Sequence, residues 1–179
     1  MAEGEKTEPQ YFEGLAAHLN AQAVQVLSLR SIGLGRDPLR VVEEALSRRK
    51  TEESNGDPYD SVWCVVDVDQ HATLENACLR AKRSDLDVAV SSPCFEVWLL
   101  WHFQDHASWI STEALAVKLK KFGVNGKNLP LTFPYDKYSS AMLRAEKCTE
   151  IRLKHKPPNP SSSVSSLVGV LADACKRKI

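Results

Sequence analysis

The stretch VWCVVDVDQH at residues 62–71 constrains the fold more than any other part of the chain. Val62 to Val66 is apolar and β-branched enough to form a strand buried on both faces, and such strands belong to sheets covered by helices. The run ends in Asp67 and Asp69, so two acids stand where the chain leaves the sheet. Strand side chains alternate, and both carboxylates therefore point the same way. They repel unless water screens them or a cation lies between them.

The flanking segments supply the helices. Pro9 suits the first turn of a helix, and Tyr11, Phe12, Leu15, Ala16 and Leu19 follow at helical spacing. AVQVLSLRSI (23–32) reads as a strand and PLRVVEEALSRRK (38–50) as a helix, followed by a polar loop, TEESNGDPYD. ATLENACLRAKR (72–83) is helical, LDVAVSS (86–92) is a strand, and after Pro93 the apolar helix CFEVWLLWHF packs into the core. Repeated β-α-β order predicts an α/β fold with a mostly parallel sheet flanked by helices. Segments 111–122, 139–154 and 162–178 then read as helices with no convincing strand between them, and KPPNPSSS (156–163) as a stiff turn leading to a serine cap. The expected organisation is one domain, residues 1–179, with an α/β core over 1–110 and a helical covering segment over 111–179. A doubly wound domain normally opens on an apolar strand, yet only Met1 and Ala2 precede the acidic turn EGEKTE. Either that strand is missing or another segment takes its place.

Composition narrows the partners. Lys and Arg total 23, as do Asp and Glu, so no whole-molecule field favours nucleic acid or an anionic membrane. A polyanion must be held by a local patch or a metal. The five cysteines form no CxxC pair and fall mostly in apolar runs, which fits buried thiols in a reducing cytoplasm. No apolar run approaches the ~20 residues of a membrane span. The expectation is a cytoplasmic protein without a membrane partner.

Ligands of open α/β sheets bind at the carboxyl ends of the strands, where Asp67 and Asp69 lie. Glu3, Glu5 and Glu8 precede the first helix, so the same edge can gather more acids. Mg²⁺ or Mn²⁺ suits carboxylate and water oxygens, and two such ions would relieve the repulsion within the DxD. A metal pair of this kind supports phosphodiester hydrolysis, with Lys6 steadying a phosphate and His71 moving a proton. Glu96 opens an apolar helix just after a strand and is a further candidate ligand. Each residue also has a plainer reading: strand-end acids and loop cations are commonly solvated, and glutamates favour helix N-termini through the dipole. Trp98, Leu99, Trp101 and Phe103 read as core, and His102 and His106, four apart without an intervening HExxH glutamate, as structural. The basic runs at 47–50, 80–83, 118–121 and 176–178 read mainly as solvated faces, one of which can guide a nucleic-acid strand.

Four motifs in order, EGEKTEPQYFEGL, WCVVDVDQH, SSPCFEVWLLWHF and NPSSSVSSLVGVL, resemble the RloB family over nearly the whole chain. That family is associated with prokaryotic restriction and abortive phage-defence loci, and it looks like part of the Toprim superfamily. The resemblance implies a Toprim-like, Rossmann-like sheet with a first-strand glutamate and a DxD binding Mg²⁺. Glu3 takes the glutamate position, and Asp67 and Asp69 take the DxD. Glu8 is similar to the second glutamate of the nuclease branch, one residue further from the first than in that branch. Ala2 stands where the family has a cysteine, and the family's preceding apolar strand is missing.

The leading expectation is a Mg²⁺-dependent nuclease acting on DNA or RNA in anti-phage defence, with other defence proteins as further partners. The alternative is a non-catalytic nucleic-acid or partner-binding module of such a system. A third reading, metal-dependent glycosyl or phosphoryl transfer, ranks last, because a haloacid-dehalogenase phosphatase needs Thr or Val where His71 stands.

Overall fold

The computed structural model describes residues 1–2, 6–19, 37–68, 73–149 and 158–176. The strand expected over 23–32 lies outside them. Among the described residues the fold is mixed α/β and mostly helical: seven α-helices surround a three-stranded sheet.

The apolar run at 63–67 forms strand β1 (Trp63–Asp67), and the second expected strand is β2 (Asp87–Ser92). The helix between them, α3 (Leu74–Arg83), makes the β-α-β crossover, and β1 and β2 pair in parallel with Val65 opposite Ala89 and Asp67 opposite Ser91. The place beside β1 is taken by the start of the chain. Ala2 bridges Val65 in parallel, and the Val65 amide donates to the Met1 carbonyl at 2.7 Å.

The other edge departs from expectation. Ser161–Ser162 form β3, antiparallel to Ser91–Ser92, in a region read as strandless. Serines have little β propensity, so long-range pairing rather than local preference makes this strand. The sheet is therefore mixed. At the start of α7 (Val164–Lys176), Ser162 Oγ accepts from the Val164 amide at 3.3 Å, one residue ahead of the cap position.

Strand alternation divides the core in two. Cys64, Val66, Val88 and Val90 face α3 and α2 (Pro38–Asn55), where Val41, Val42, Ala45, Ala77 and Ala81 are buried. Helix α2 is capped at its start by Asp37, whose Oδ1 accepts from the Leu39 amide at 2.9 Å, with Pro38 in the first turn. It runs five residues beyond the expected end at Lys50, because Thr51 to Asn55 are all compatible with a helix and the terminator is Gly56, at φ 81°.

Val65 and Ala89 face the larger core, built by α1 (Thr7–His18), α4 (Glu96–Phe103), α5 (Thr112–Lys120), α6 (Tyr138–Thr149) and α7. Helix α4 is apolar all round because it is enclosed all round. Trp98, Leu99, Leu100 and Trp101 are fully buried within it, and truncating either tryptophan to alanine costs about 3–5 kcal/mol. His102 is buried among Tyr11, Trp98 and Phe133, as its structural reading expects. Its Nδ1 lies 3.1 Å from the Trp98 carbonyl, which can only accept, so Nδ1 carries the proton. Nε2 then accepts from the Tyr11 hydroxyl at 3.2 Å. No helix among the described residues is long and apolar enough to cross a membrane.

Candidate metal centre

Asp67 closes β1 at the carboxyl end of the parallel pair, and the Val68 amide carries the ladder one residue further to the Ser91 carbonyl at 2.8 Å. Its side chain shares pleat parity with Trp63 and Val65, so it belongs to the face of the larger core. Directly opposite, Ser91 is buried and its hydroxyl lies 2.9 Å from that of Ser162 on β3.

β2 ends at Ser92, and only Pro93, Cys94 and Phe95 separate it from Glu96 at the start of α4. This short joint keeps Glu96 at the same end of the sheet as Asp67. Both acids act on the Cys94 thiol. Burial pushes its pKa up, and the charges of Glu96 and Asp67 push it further, while the thiol hydrogen-bonds the Glu96 carboxylate. Cys94 therefore stays protonated, a donor beside two acids rather than a thiolate ligand or nucleophile.

Helix α1 carries a further buried carboxylate. Glu8 is buried in its first turn and stands four residues before Phe12, on the same helical face. Phe12 packs on Phe95, the residue capping α4, with ring centroids 5.9 Å apart, and Tyr11 packs on the same ring at 5.7 Å. The inward face of α1 and the start of α4 are thus one packed unit. Lys6 is exposed at the cap position of α1, directly before Thr7 and Glu8.

Of the residues singled out in the sequence, Asp67 and Glu96 both act on Cys94 at the β1 and α4 ends, while Glu8 is buried in the first turn of α1. Glu3, Asp69 and His71 lie outside the described residues. Among the described residues, no group of three His, Cys, Asp or Glu side chains stands close enough to hold a metal ion. The donors present are nonetheless of the right kind, since Mg²⁺ usually takes one or two protein carboxylates and keeps waters for its remaining positions. Sequence reasoning missed Cys94 and the Ser91–Ser162 pair. The position of Cys94 between a strand and an acidic helix start was a readable signal, whereas nothing local in SSS announces that it returns to β2.

A family model described as RloB-like protein matches residues 1–171. No curated protein and no solved structure matches the chain.

Proposed function

From the premise that the chain belongs to the RloB-like family, we propose that it is a Mg²⁺-dependent, Toprim-like nuclease that hydrolyses phosphodiester bonds of DNA or RNA in prokaryotic defence. The observation that carries the reading is the grouping of Asp67 and Glu96 about the protonated Cys94 thiol at the carboxyl end of the parallel pair, with Glu8 buried on the adjoining face of α1. Like charges crowded into a partly dry site are costly unless a cation is shared between them.

In this reading Asp67, Asp69 and Glu3 hold the ion, Glu8 completes or orients the set, and Glu96 acts as a further ligand or holds the others in place. Mg²⁺ or Mn²⁺, when bound, supplies charge stabilisation and an activated water. The chain's own groups do the rest. The Cys94 thiol, kept protonated beside Glu96 and Asp67, serves as a donor to the Glu96 carboxylate. Lys6, exposed beside Glu8, meets a phosphate, and His71 moves a proton.

The test is calorimetric titration of Mn²⁺ and Mg²⁺ into the native chain, into Asp67→Asn/Asp69→Asn and into Glu96→Gln, beside plasmid and RNA cleavage. Metal binding and cleavage lost together in the double variant support the reading. Cleavage that persists in the double variant rejects it. A second reading is a non-catalytic nucleic-acid or partner-binding module. It requires salt-sensitive binding that survives both aspartate substitutions.

A further inference from the structure

Although the whole chain is electrically neutral, residues 114–135 carry four lysines and no acid. Lys118 and Lys120 lie in the last turn of α5, Lys121 caps it, and Lys127 sits on the turn beyond. Lys120, Lys121 and Lys127 are exposed, and none of the four pairs with a carboxylate among the described residues.

The segment carrying them is held firmly. Asn125 and Asn128 exchange backbone hydrogen bonds of 3.3 and 3.2 Å around Gly126 and Lys127, with Gly126 at φ 60°, as a tight hairpin turn with glycine at its first central position requires. Phe122 stacks on Phe103 at 4.4 Å, and Val124 and Phe133 are buried in the larger core. The apolar side chains of this segment are anchored, and the ammonium groups are turned to solvent.

The turn is tied to the start of α1. The Leu129 amide donates to Gln10 Oε1 at 3.0 Å, the Thr7 hydroxyl donates to the Lys127 carbonyl at 3.4 Å, and the Tyr135 hydroxyl donates to the Gln10 carbonyl at 3.3 Å. Thr7 and Gln10 flank Glu8, so the lysine turn is fastened on both sides of a candidate metal ligand, with Lys6 just before it.

We infer that the lysine segment 118–127, docked on the first turns of α1, is a phosphate-backbone clamp that holds a nucleic-acid strand against the acidic end of the sheet. The inference rests on the nuclease reading for its purpose and on the α1 tethers for its place. Backbone contacts of this kind are electrostatic and carry no base specificity, so the clamp holds DNA and RNA through the same phosphates. Its signature is salt dependence, because each phosphate neutralised by a lysine releases condensed counterions.

The experiment is fluorescence anisotropy of a labelled mixed-sequence oligonucleotide, as single-stranded DNA, single-stranded RNA and duplex DNA, across a salt series. The native chain is compared with Lys120→Gln/Lys121→Gln/Lys127→Gln and with a charge-matched control, Lys50→Gln/Lys82→Gln/Arg83→Gln, on the exposed surfaces of α2 and α3. The turn variant should bind about tenfold or more weakly, with its log–log salt slope reduced by about three, while the control stays within about twofold. All substituted groups are exposed, and an unchanged thermal melt and Mn²⁺ titration show that fold and metal site are intact. Equal losses in both variants, native-like binding by the turn variant, or no binding by the native chain to any oligonucleotide would overturn the clamp. Competition by poly-glutamate as effective as by nucleic acid would reassign the lysines to an acidic protein. Nucleic-acid binding that depends on the lysines without any metal-dependent cleavage leaves the clamp standing and removes the nuclease.

Discussion

His102 should make this protein lose stability as the solution turns mildly acidic. Burial pulls its pKa down from 6.5 to about 4, with Arg144 adding to the depression and the Trp98 carbonyl and Asp136 opposing it. The folded state thus keeps the ring neutral at pH values where the unfolded chain protonates it. The unfolded state binds more protons between those two pKa values, so stability rises with pH across the window and falls on acidification. Working the linkage between about pH 7 and pH 5 with these values costs the native state about 2 kcal/mol, and protonation also turns Nε2 from an acceptor into a donor facing Tyr11. In urea that is a midpoint shift of about 1 M, readable by fluorescence of the four tryptophans. The comparison protein is Tyr11→Phe/His102→Phe, which removes both ends of the hydrogen bond and leaves neither group unpaired. Its own stability can differ, but its loss between the two pH values should be smaller than the native loss by about 2 kcal/mol. Identical losses in the two proteins would refute the argument that a buried neutral imidazole sets the acid sensitivity.

Three further expectations follow from single contacts. Asp37 Oδ1 accepts from both the Leu39 amide and the Thr73 hydroxyl, at 2.9 and 2.7 Å, joining the starts of α2 and α3, so Asp37→Ala should cost about 1–2 kcal/mol in urea unfolding. A methyl group on Gly14 would stand 2.1 Å from the Tyr135 hydroxyl oxygen, so Gly14→Ala should expel that ring from α1 and cost about 1–3 kcal/mol, read as a lower melting temperature. Cys94 and Cys64 are buried with raised pKa values, so brief iodoacetamide treatment of the folded protein followed by peptide mass spectrometry should find both unlabelled, with labelling appearing in denaturant.

Where local chemistry decided the outcome, the sequence was readable. The VWCVV run became β1 and LDVAVSS became β2, because β-branched apolar runs bounded by polar residues have few other homes. The apolar α4 was equally plain, and its aromatic residues lie in the core as expected. Boundaries were less legible at the end of α2, where a polar stretch read as a loop continues as helix until Gly56 stops it. β3 was invisible, since two serines acquire strand geometry only from a partner 71 residues away. The site divides in the same way. Asp67 and Glu96 could be placed because strand and helix ends are local features. The neighbourhood of Cys94 and the docking of the lysine turn on α1 depend on tertiary packing, which no periodicity reports.

The return of β3 to β2 orders events on the ribosome. Ser163 closes hydrogen bonds with Val90 at 2.8 and 3.0 Å, and Ser162 reaches Ser91, so this edge of the sheet is fastened by residues made long after β2. Such distant pairings complete late, because their loop-closure entropy is offset only after the intervening helices have folded. A nascent chain that has emerged only as far as α6 holds β1 and β2 without the residues that close the free edge of β2. Completion of this sheet edge thereby waits for residues 161–163 to emerge.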